Sequence, residues 1–339
     1  MKVCVVGGTG VISTPLVRQL LEHGHKVVLF NRGRRALPPK GVRVIEGDRA
    51  DRGAFERAMQ AERCDAAIDM ISFSADDAAS ALRAFRGVKQ LIHCSSCAVY
   101  GIDHTFHPIT EDHPYRPNTS YAQGKVEAER VLWEAHYGEG TPLTLMRPAL
   151  TFGEGNGLAR QLCRDHQAWL DRIRKGKPLL VCGNGDAPFH FLDAEDAAPA
   201  FVHALGRERC IGQAYNLVRP PITWAEHHRT AMRVLGREVD LVGLPIDALR
   251  RAAAAGLVPG AEVCLQNFGH ATRISAARLS RDVPEFAPRT SLARSMQRVI
   301  EAQDAAGWIA DSDHQPWEDR LIDAQRGIAE IAARGQDVA

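Results

Sequence analysis

Tyr121 and Lys125 are the residues whose types and spacing most directly suggest proton-transfer chemistry. If Ser120–Lys125 is helical, side chains four residues apart lie one turn apart on the same face. A neighbouring ammonium favours the phenolate, so Lys125 is predicted to lower the pKa of Tyr121 below its usual value of about 10. Tyr121 is then a possible acid/base. The alternative is an exposed pair on an amphipathic helix, since such pairs are common.

Two hydroxyl groups, those of Ser95 and Ser96, follow the run Gln90–Cys94, which is typical of a buried strand. Open α/β sheets bind their ligands at the carboxyl ends of the strands. Both hydroxyls are therefore placed where a ligand of such a sheet would lie.

A glycine-rich turn stands at the start of the chain, between the apolar run Val3–Val6 and a helical stripe of apolar residues at 12, 16, 17, 20 and 21. Glycines allow close backbone approach to a pyrophosphate, and free N–H groups at the helix start attract its charge. This setting predicts dinucleotide binding. The predicted contacts in the turn are Gly7, Gly8, Thr9, Gly10, Val11 and Ile12.

The second predicted strand, His25–Phe30, ends at Asn31, where an acidic residue would hold the adenosine ribose of NAD. Arg32, Arg34 and Arg35 follow instead and suit a ribose 2′-phosphate, so NADP is favoured and NAD is the alternative cofactor. A solvated basic loop is the competing interpretation. After the third strand, Asp48 could face the adenine amino group. The remaining predicted cofactor contacts are Arg49, Met70, Tyr121, Lys125 and Pro148.

Short apolar strands alternate regularly with helical patterns over the first 150 residues, which predicts an α/β fold with a Rossmann-type, doubly wound parallel sheet. The later pattern is mixed and predicts a smaller substrate-binding lobe. We place the dinucleotide-binding domain at 1–155, with strands and helices returning to it after 180. The lobe is placed mainly at 156–310, and a helical tail at 311–339.

Composition narrows the classes of function. The chain has 339 residues, of which 45% are hydrophobic and 24% charged, with a formal net charge of +1. The balance of charge gives no general case for binding nucleic acid or a membrane. There is no signal-peptide pattern and no apolar window of about 20 residues. Eight irregularly spaced cysteines are typical of reduced thiols, so a cytoplasmic location is expected.

No metal site is predicted. Cys94 and Cys97 have redox-motif spacing but lack the second pair that a zinc site needs. His104, His107 and His113 lack helical pairing. A basic cluster elsewhere is open to two interpretations, a site for a substrate phosphate or a solvated helix face. It comprises Arg172, Arg174, Lys175 and Lys177.

These motifs together resemble the extended short-chain dehydrogenase/reductase family, the NAD-dependent epimerase/dehydratase group, from Val3 to about Arg298. Their order and separation, including the 25 residues from Ser96 to Tyr121, are more specific than any one motif. The motifs are Gly7–Ser13, Ser96–Gly101, Tyr121–Lys125, Arg147-Pro148, Gly183–Gly185 with Asp193–Ala198, and Ser275–Leu279 with Pro288–Leu292.

The resemblance implies roles for the three candidate catalytic residues. Tyr121 would exchange a proton with the substrate oxygen while hydride moves to or from a nicotinamide. Lys125 would hold the nicotinamide ribose and lower the pKa of Tyr121, and Ser96 would donate to the same substrate oxygen. The implied function is an oxidoreductase or epimerase acting on a hydroxyl-bearing carbon of a small, sugar-like substrate. A homodimer through helices near 75–87 and 120–135 is also implied.

The chain departs from the family's patterns at four places. Ser13 replaces the third glycine of the turn, and Asn31 replaces the ribose-binding acid. Ser96-Cys97-Ala98 stands where sugar 4,6-dehydratases carry Thr-Asp-Glu, which argues against water elimination. Phe189 stands where many nucleotide-sugar enzymes carry an arginine that clamps the substrate diphosphate, which weakens a nucleotide-sugar assignment.

Two non-catalytic alternatives remain open. Chloroplast stem-loop-binding proteins resemble the turn at Gly8-Thr9-Gly10 and the segment Asn31-Arg32-Gly33, so an RNA-associated role is conceivable. An NADP-binding redox sensor is the other. The near-neutral charge and the three intact candidate residues favour an enzyme that binds no nucleic acid and no membrane. The tail includes Trp317–Ile322, which predicts a helix packed on the lobe or on a neighbour.

Overall fold

The structure, a computed structural model, describes residues 1–34, 39–164 and 167–336, with side chains as far as 332. Its strands and helices alternate through the first half of the chain, as predicted. The strands are β1 (Lys2–Val6), β2 (Lys26–Asn31), β3 (Arg43–Glu46), β4 (Ala66–Asp69), β5 (Gln90–Cys94), β6 (Leu143–Pro148), β7 (Leu150–Phe152), β8 (Leu179–Cys182), β9 (Pro188–Phe189), β10 (Phe191–Asp193), β11 (Gln213–Leu217), β12 (Ile222–Thr223) and β13 (Leu241–Leu244).

The helices follow the same order along the chain. They are α1 (Ser13–Glu22), α2 (Arg52–Glu62), α3 (Ala75–Ala84), α4 (Ser120–Glu139), α5 (Ala168–Lys175), α6 (Ala194–Ala204), α7 (Trp224–Leu235), α8 (Ile246–Ala254), α9 (Ala277–Asp282), α10 (Leu292–Ala305) and α11 (Trp317–Gln336).

Seven strands of the described chain form a parallel sheet in the order β11-β6-β5-β4-β1-β2-β3. From β1 the chain runs outward through β2 and β3, then returns to β4 on the other side of β1. This reversal is the switch point at which doubly wound sheets open a ligand crevice. The glycine turn after β1 and Met70 after β4 both lie there. The predicted Rossmann-type fold is confirmed.

The sheet separates two apolar layers because successive strand residues point to opposite faces. On β1, Val3 and Val5 pack with the buried faces of α1 and α6. Cys4 and Val6 point the other way, toward α2, α3 and α4. Both faces of the sheet are covered, which accounts for the nearly unbroken apolar strands in the sequence.

The helices that border the candidate site begin at residues whose side chains accept backbone hydrogen bonds. Ser74 caps α3 by accepting from Asp77 N at 3.2 Å. Thr119 caps α4 by accepting from Ala122 N at 3.1 Å. At the other end, Gly140 takes the left-handed conformation that stops α4. Thr119 therefore fixes the start of the helix that carries Tyr121 and Lys125.

The chain divides into two compact units. The first contains Met1–Gly155, His190–Pro220 and Ile274–Arg289. The second contains Asn156–Phe189, Pro221–Arg273 and Thr290–Ala339. The candidate catalytic residues and the glycine turn all belong to the first unit. The second unit has its own apolar core, which includes Leu162, Leu180, Leu249 and Trp317.

In the second unit, α5 begins only at Ala168. Before it, Gly157 has a φ of +68°, and the Gln167 side chain accepts from Leu158 N at 2.8 Å. After 217 the described chain is mostly helical, and the short strand β13 pairs in parallel with β8. No helix among the described residues is long and apolar enough to cross a membrane.

Candidate active site

The α4 helix places Tyr121 and Lys125 one turn apart, as their spacing predicts. The Lys125 Nζ atom lies 5.9 Å from the centre of the Tyr121 ring. Between them in sequence, Gly124 allows the helix to approach the loop after β4, because a Cβ atom there would lie 2.1 Å from the Phe73 carbonyl oxygen. The helix is thus held close to the carboxyl end of β4.

Lys125 is buried and held by two backbone carbonyls. Its Nζ donates to Ser72 O and to Cys94 O, each at 2.7 Å. The ring centre of Phe73 lies 4.5 Å from the same nitrogen. Burial lowers the pKa of Lys125. An ammonium has three N–H donors, so one remains for a ligand at the strand ends.

Tyr121 retains its proton more strongly than the sequence predicts. Although 48% of the residue's surface is exposed, burial around the phenol raises its pKa to about 12, while a hydrogen bond with Ser96 acts in the opposite direction. The predicted lowering of the Tyr121 pKa by Lys125 is therefore wrong. Burial of the phenol disfavours the phenolate and is the largest cause of the raised value.

Ser96 joins this pair from the end of β5. It caps the short 3₁₀ turn Cys97–Tyr100, with its Oγ accepting from Ala98 N at 3.2 Å. The Ser96 hydroxyl lies close enough to the Tyr121 phenol to act on its pKa in the lowering direction. The structure thus brings all three predicted catalytic residues together at one edge of the sheet.

A buried polar network lies behind Ser96. Ser95 donates to the Glu129 carboxylate, which also accepts from Arg147 Nε at 2.9 Å and from Tyr115 Oη at 2.6 Å. The Arg147 guanidinium donates in addition to Tyr100 Oη at 2.7 Å. Burial raises the pKa of Cys97, whose thiol donates to the Arg147 carbonyl at 2.9 Å and is therefore a structural group.

The glycine turn has the form that a pyrophosphate cradle requires. Gly7 has a φ of +82°, and a Cβ there would lie 2.5 Å from Ile71 Cγ2. A Cβ on Gly8 would lie 2.4 Å from Leu29 Cδ2. Ile12 at the N-cap of α1 provides no side-chain hydrogen bond. Thr14 N–H donates to Gly10 O, and Pro15 has no N–H, which leaves the N–H of Ser13 at the helix start for an anion. These residues fit a bound dinucleotide.

Ser13, which replaces the third glycine, ties this turn together. Its Oγ accepts from Gly10 N and donates to the Gly7 carbonyl, both at 2.7 Å. The Ser13 hydroxyl thus connects the two ends of the glycine turn. The substitution supplies two hydrogen bonds in place of the conformational freedom of glycine.

The other predicted cofactor residues are distributed around the switch point. Asn31 ends β2, and its Oδ1 accepts from Gly33 N at 2.9 Å. Arg32 and Arg34 are exposed, whereas Arg35 lies outside the described residues. Val11 contacts the segment after β7, where a Cβ on Gly153 would lie 3.3 Å from its Cγ1.

On the far side of the switch point, Met70 is half-buried, and its N–H donates to Val6 O at 3.0 Å. Pro148 ends β6. Asp48 is exposed, with Oδ1 accepting from Ala50 N at 2.9 Å. Arg49 is buried, and its guanidinium donates to the Asp69 carboxylate at 2.8 Å. This ion pair helps to hold the carboxyl end of β4 in place.

Sequence reasoning missed Ser72, Phe73 and Glu129. Glu129 had a detectable signal, since it follows Lys125 by four residues and shares its helix face. Ser72 contributes a carbonyl oxygen, which any residue type supplies, so no sequence signal marks it. Phe73 is 49% exposed beside Lys125 and follows no periodic pattern.

In the second unit, every cation of the basic cluster is paired with a carboxylate, which favours a partly solvated helix face over a site for a substrate phosphate. Arg172 is buried against Glu318 and Asp319. The other cations, which are partly exposed, pair within the same unit as Arg174 with Asp304, Lys175 with Asp311 and Asp313, and Lys177 with Asp313.

The position of the missing arginine clamp is occupied by an aromatic cluster. The Phe189 ring centre lies 5.5 Å from that of Trp224 and 5.1 Å from that of Phe268. All three residues are buried. No group of three or more histidine, cysteine or acidic residues within the described ranges has the geometry of a metal site.

The sheet order and the glycine turn define a Rossmann-type nucleotide-binding protein. The sequence profile of the NAD dependent epimerase/dehydratase family matches residues 3–217. The chain therefore belongs to that family and is an NAD-dependent enzyme of its type.

Two curated relatives and one solved structure illustrate the range of the similarity. The chain is 33% identical to 2′-dehydrokanamycin reductase of Streptomyces kanamyceticus over 73% of this chain and 70% of that protein. It is 27% identical to a chloroplast stem-loop binding protein of 41 kDa from Arabidopsis thaliana, over 64% and 58% respectively. The UDP-glucose 4-epimerase of Thermotoga maritima superposes with a TM-score of 0.72 at 17% identity, covering 90% of this chain and 99% of that one.

Proposed function

We propose that the chain is an NAD(P)H-dependent reductase of a ketone carbon in a sugar-like substrate. The observation that carries the proposal is the meeting of Ser96, Tyr121 and Lys125 beside the glycine turn. The nicotinamide would supply the hydride. Tyr121 gives its proton to the carbonyl oxygen as hydride adds to the carbon, so the ketone becomes an alcohol. Ser96 donates to the same oxygen, and the remaining Lys125 donor holds the cofactor ribose.

A substrate without a nucleotide diphosphate is favoured by the second unit. Phe189 packs with Trp224 and Phe268 where nucleotide-sugar enzymes of the family often carry a cation. An apolar ring cannot neutralise a diphosphate. The name of the Streptomyces relative, 2′-dehydrokanamycin reductase, contains no nucleotide and supports the same class of substrate. An epimerase that returns hydride to the opposite face is the second candidate, because it would use the same three residues.

NADP is the proposed cofactor, with NAD as the alternative. The support is local: Asn31 replaces the ribose-binding acid, and the guanidinium groups of Arg32 and Arg34 are exposed beside it. Cations at this turn attract a 2′-phosphate.

The proposal is tested by following NADPH absorbance with 2′-dehydrokanamycin, simple ketoses and a keto nucleotide sugar as substrates. We expect NADPH consumption with a ketone that carries no nucleotide, and a loss of about 10²–10⁴-fold in kcat for Tyr121→Phe. Inversion of an alcohol carbon without net NADPH consumption would identify the epimerase instead. Absence of any cofactor-dependent reaction with all three kinds of substrate would contradict both.

A non-catalytic role is kept as an alternative because of the similarity to the chloroplast stem-loop binding protein. A filter-binding assay with stem-loop RNA would support it if affinity fell steeply with salt. The redox-sensor alternative predicts that Tyr121→Phe retains full biological function.

A homodimer through α3 and α4 is also proposed. These two helices pack on each other, and α4 presents an exposed Tyr137 stacked on Trp133 with ring centres 5.7 Å apart. Light scattering after size exclusion would give twice the chain mass. A monomeric mass at micromolar concentration would contradict the dimer.

A further inference from the structure

Glu46 ends β3 beside the turn that follows β2. In the parallel register of these strands, Glu46 is paired with Asn31. The turn continues to Gly33, which has a φ of +64°. A Cβ atom on Gly33 would lie 2.9 Å from Glu46 Cδ and 3.0 and 3.1 Å from its two carboxylate oxygens. The Glu46 carboxylate therefore lies directly against the backbone of this turn.

In Rossmann-type proteins this turn reads the 2′ position of the adenosine ribose. Asn31 stands where a carboxylate would be expected, and its side-chain oxygen is occupied by the N–H of Gly33. The negative charge that β2 lacks is thus supplied by the neighbouring strand. Arg32 and Arg34 bring positive charge to the same turn, so a ribose 2′-phosphate would meet charges of both signs.

Glu46 is exposed, and no hydrogen bond or ion pair engages its carboxylate within the described part of the chain. Its charge is therefore not neutralised by a described neighbour. Because the group supports no other contact, its replacement by glutamine is not expected to disturb the fold.

We propose that Glu46 determines the preference between NADPH and NADH by opposing the 2′-phosphate that Arg32 and Arg34 attract. The inference rests on the proposed binding of a dinucleotide at the switch point. A 2′-phosphate carries about −1.5 to −2 charges near neutral pH, whereas a 2′-hydroxyl carries none. Removal of the Glu46 charge should therefore tighten binding of NADPH and leave NADH nearly unaffected.

The test is direct binding of NADPH and NADH to the full chain, followed by the fluorescence of the reduced nicotinamide. For Glu46→Gln we expect NADPH to bind about three- to tenfold more tightly, and NADH to change by less than about twofold. The gain should shrink between about 0.05 M and about 0.5 M salt, because the charges are exposed to solvent. Arg32→Gln should weaken NADPH alone.

The matched control is Glu139→Gln, which removes an exposed charge at the end of α4 and should change neither affinity. Unchanged NADPH affinity in Glu46→Gln, or an equal change for both dinucleotides, would overturn the role of Glu46 while the proposed function stands. If neither dinucleotide binds to the unaltered chain, the proposed function fails, and this inference fails with it.

Discussion

Tyr121 keeps its proton near neutral pH because its surroundings oppose the phenolate. Burial raises the pKa of Tyr121 to about 12, and the Lys125 ammonium is occupied by the carbonyls of Ser72 and Cys94. Reduction of a ketone needs the protonated phenol, whereas oxidation of an alcohol needs the phenolate. The raised pKa of Tyr121 is thus consistent with the proposed reductase, in which this phenol gives a proton to the ketone oxygen.

The pH dependence of the two directions should therefore differ. A group with a raised pKa stays protonated below that value, so kcat/KM for reduction is expected to be level from about pH 7 to about pH 9. For oxidation, kcat/KM should rise over the same range. Steady-state rates in both directions measure this, and Tyr137→Phe, an exposed tyrosine on the same helix, is the control. A decline in reduction across this range that is absent from Tyr121→Phe would contradict the raised pKa.

Glu129 is the buried carboxylate that accepts hydrogen bonds from Ser95, Tyr115 and Arg147 behind the candidate site. Burial alone would raise the pKa of Glu129, but the charge of Arg147 and the hydrogen bonds from Arg147, Ser95 and Tyr115 together lower it. Glu129→Gln would leave Arg147 buried without a counter-charge, at a cost of about 3–5 kcal/mol in the free energy of unfolding. Urea denaturation near pH 7 measures the loss, with the exposed Glu134→Gln as control.

Acidification gives a second readout of the same ion pair. A carboxyl group with a lowered pKa contributes its stability above the unfolded value of about 4.3, and the contribution is lost as the pH falls through the folded pKa. The difference between Glu129→Gln and the unaltered chain should therefore shrink at low pH. A difference below about 1 kcal/mol at pH 7 would show that the remaining acceptors of Arg147, namely Tyr100 Oη, Tyr115 Oη and the Glu111 carbonyl, suffice to hold it.

At the scale of elements, the position of α4 depends on one glycine. An alanine at 124 would bring a Cβ atom to 2.1 Å from the Phe73 carbonyl oxygen. We expect Gly124→Ala to destabilise the chain by about 1–3 kcal/mol, although alanine is the better helix former. Gly138→Ala on the same helix meets nothing within 4 Å and should stabilise by up to about 1 kcal/mol. Equal effects of both in thermal denaturation would show that the helix shifts freely.

The sequence predicts the elements of the first unit well because its parallel strands are buried on both faces and its helices have a clear apolar stripe. It also predicts Ser96, Tyr121 and Lys125 as a group, since each lies at a strand end or on one helix face. It could not predict the sign of the Tyr121 pKa shift, because burial of the phenol, the largest cause, is a property of the tertiary structure. The contact between Glu46 and Gly33 could not be predicted either, because it depends on the register of β2 and β3, which is a tertiary property.

At the scale of the whole chain, the second unit is built from three separate segments. Ion pairs between residues far apart in the sequence connect these segments. Glu318 of α11 binds Arg160 and Arg172 and accepts from Leu180 N at 2.8 Å. The partners in each contact are more than a hundred residues apart in sequence, so no local sequence pattern predicts these contacts. The predicted C-terminal helix is present, and its first turn carries the anion for two buried arginines.

Glu318→Gln should therefore weaken the second unit selectively, because it leaves Arg160 and Arg172 buried without their shared anion. Four tryptophans belong to this unit, namely Trp169, Trp224, Trp308 and Trp317. We expect the tryptophan-fluorescence transition in urea to move to lower denaturant by about 1–2 M, given a loss of about 3–5 kcal/mol. Asp323→Asn, an exposed position on the same helix, should leave it unchanged. The proposed dinucleotide site consists of residues of the first unit, so NADPH affinity should persist at urea concentrations just above the shifted transition. Simultaneous loss of both signals would mean that the two units unfold as one.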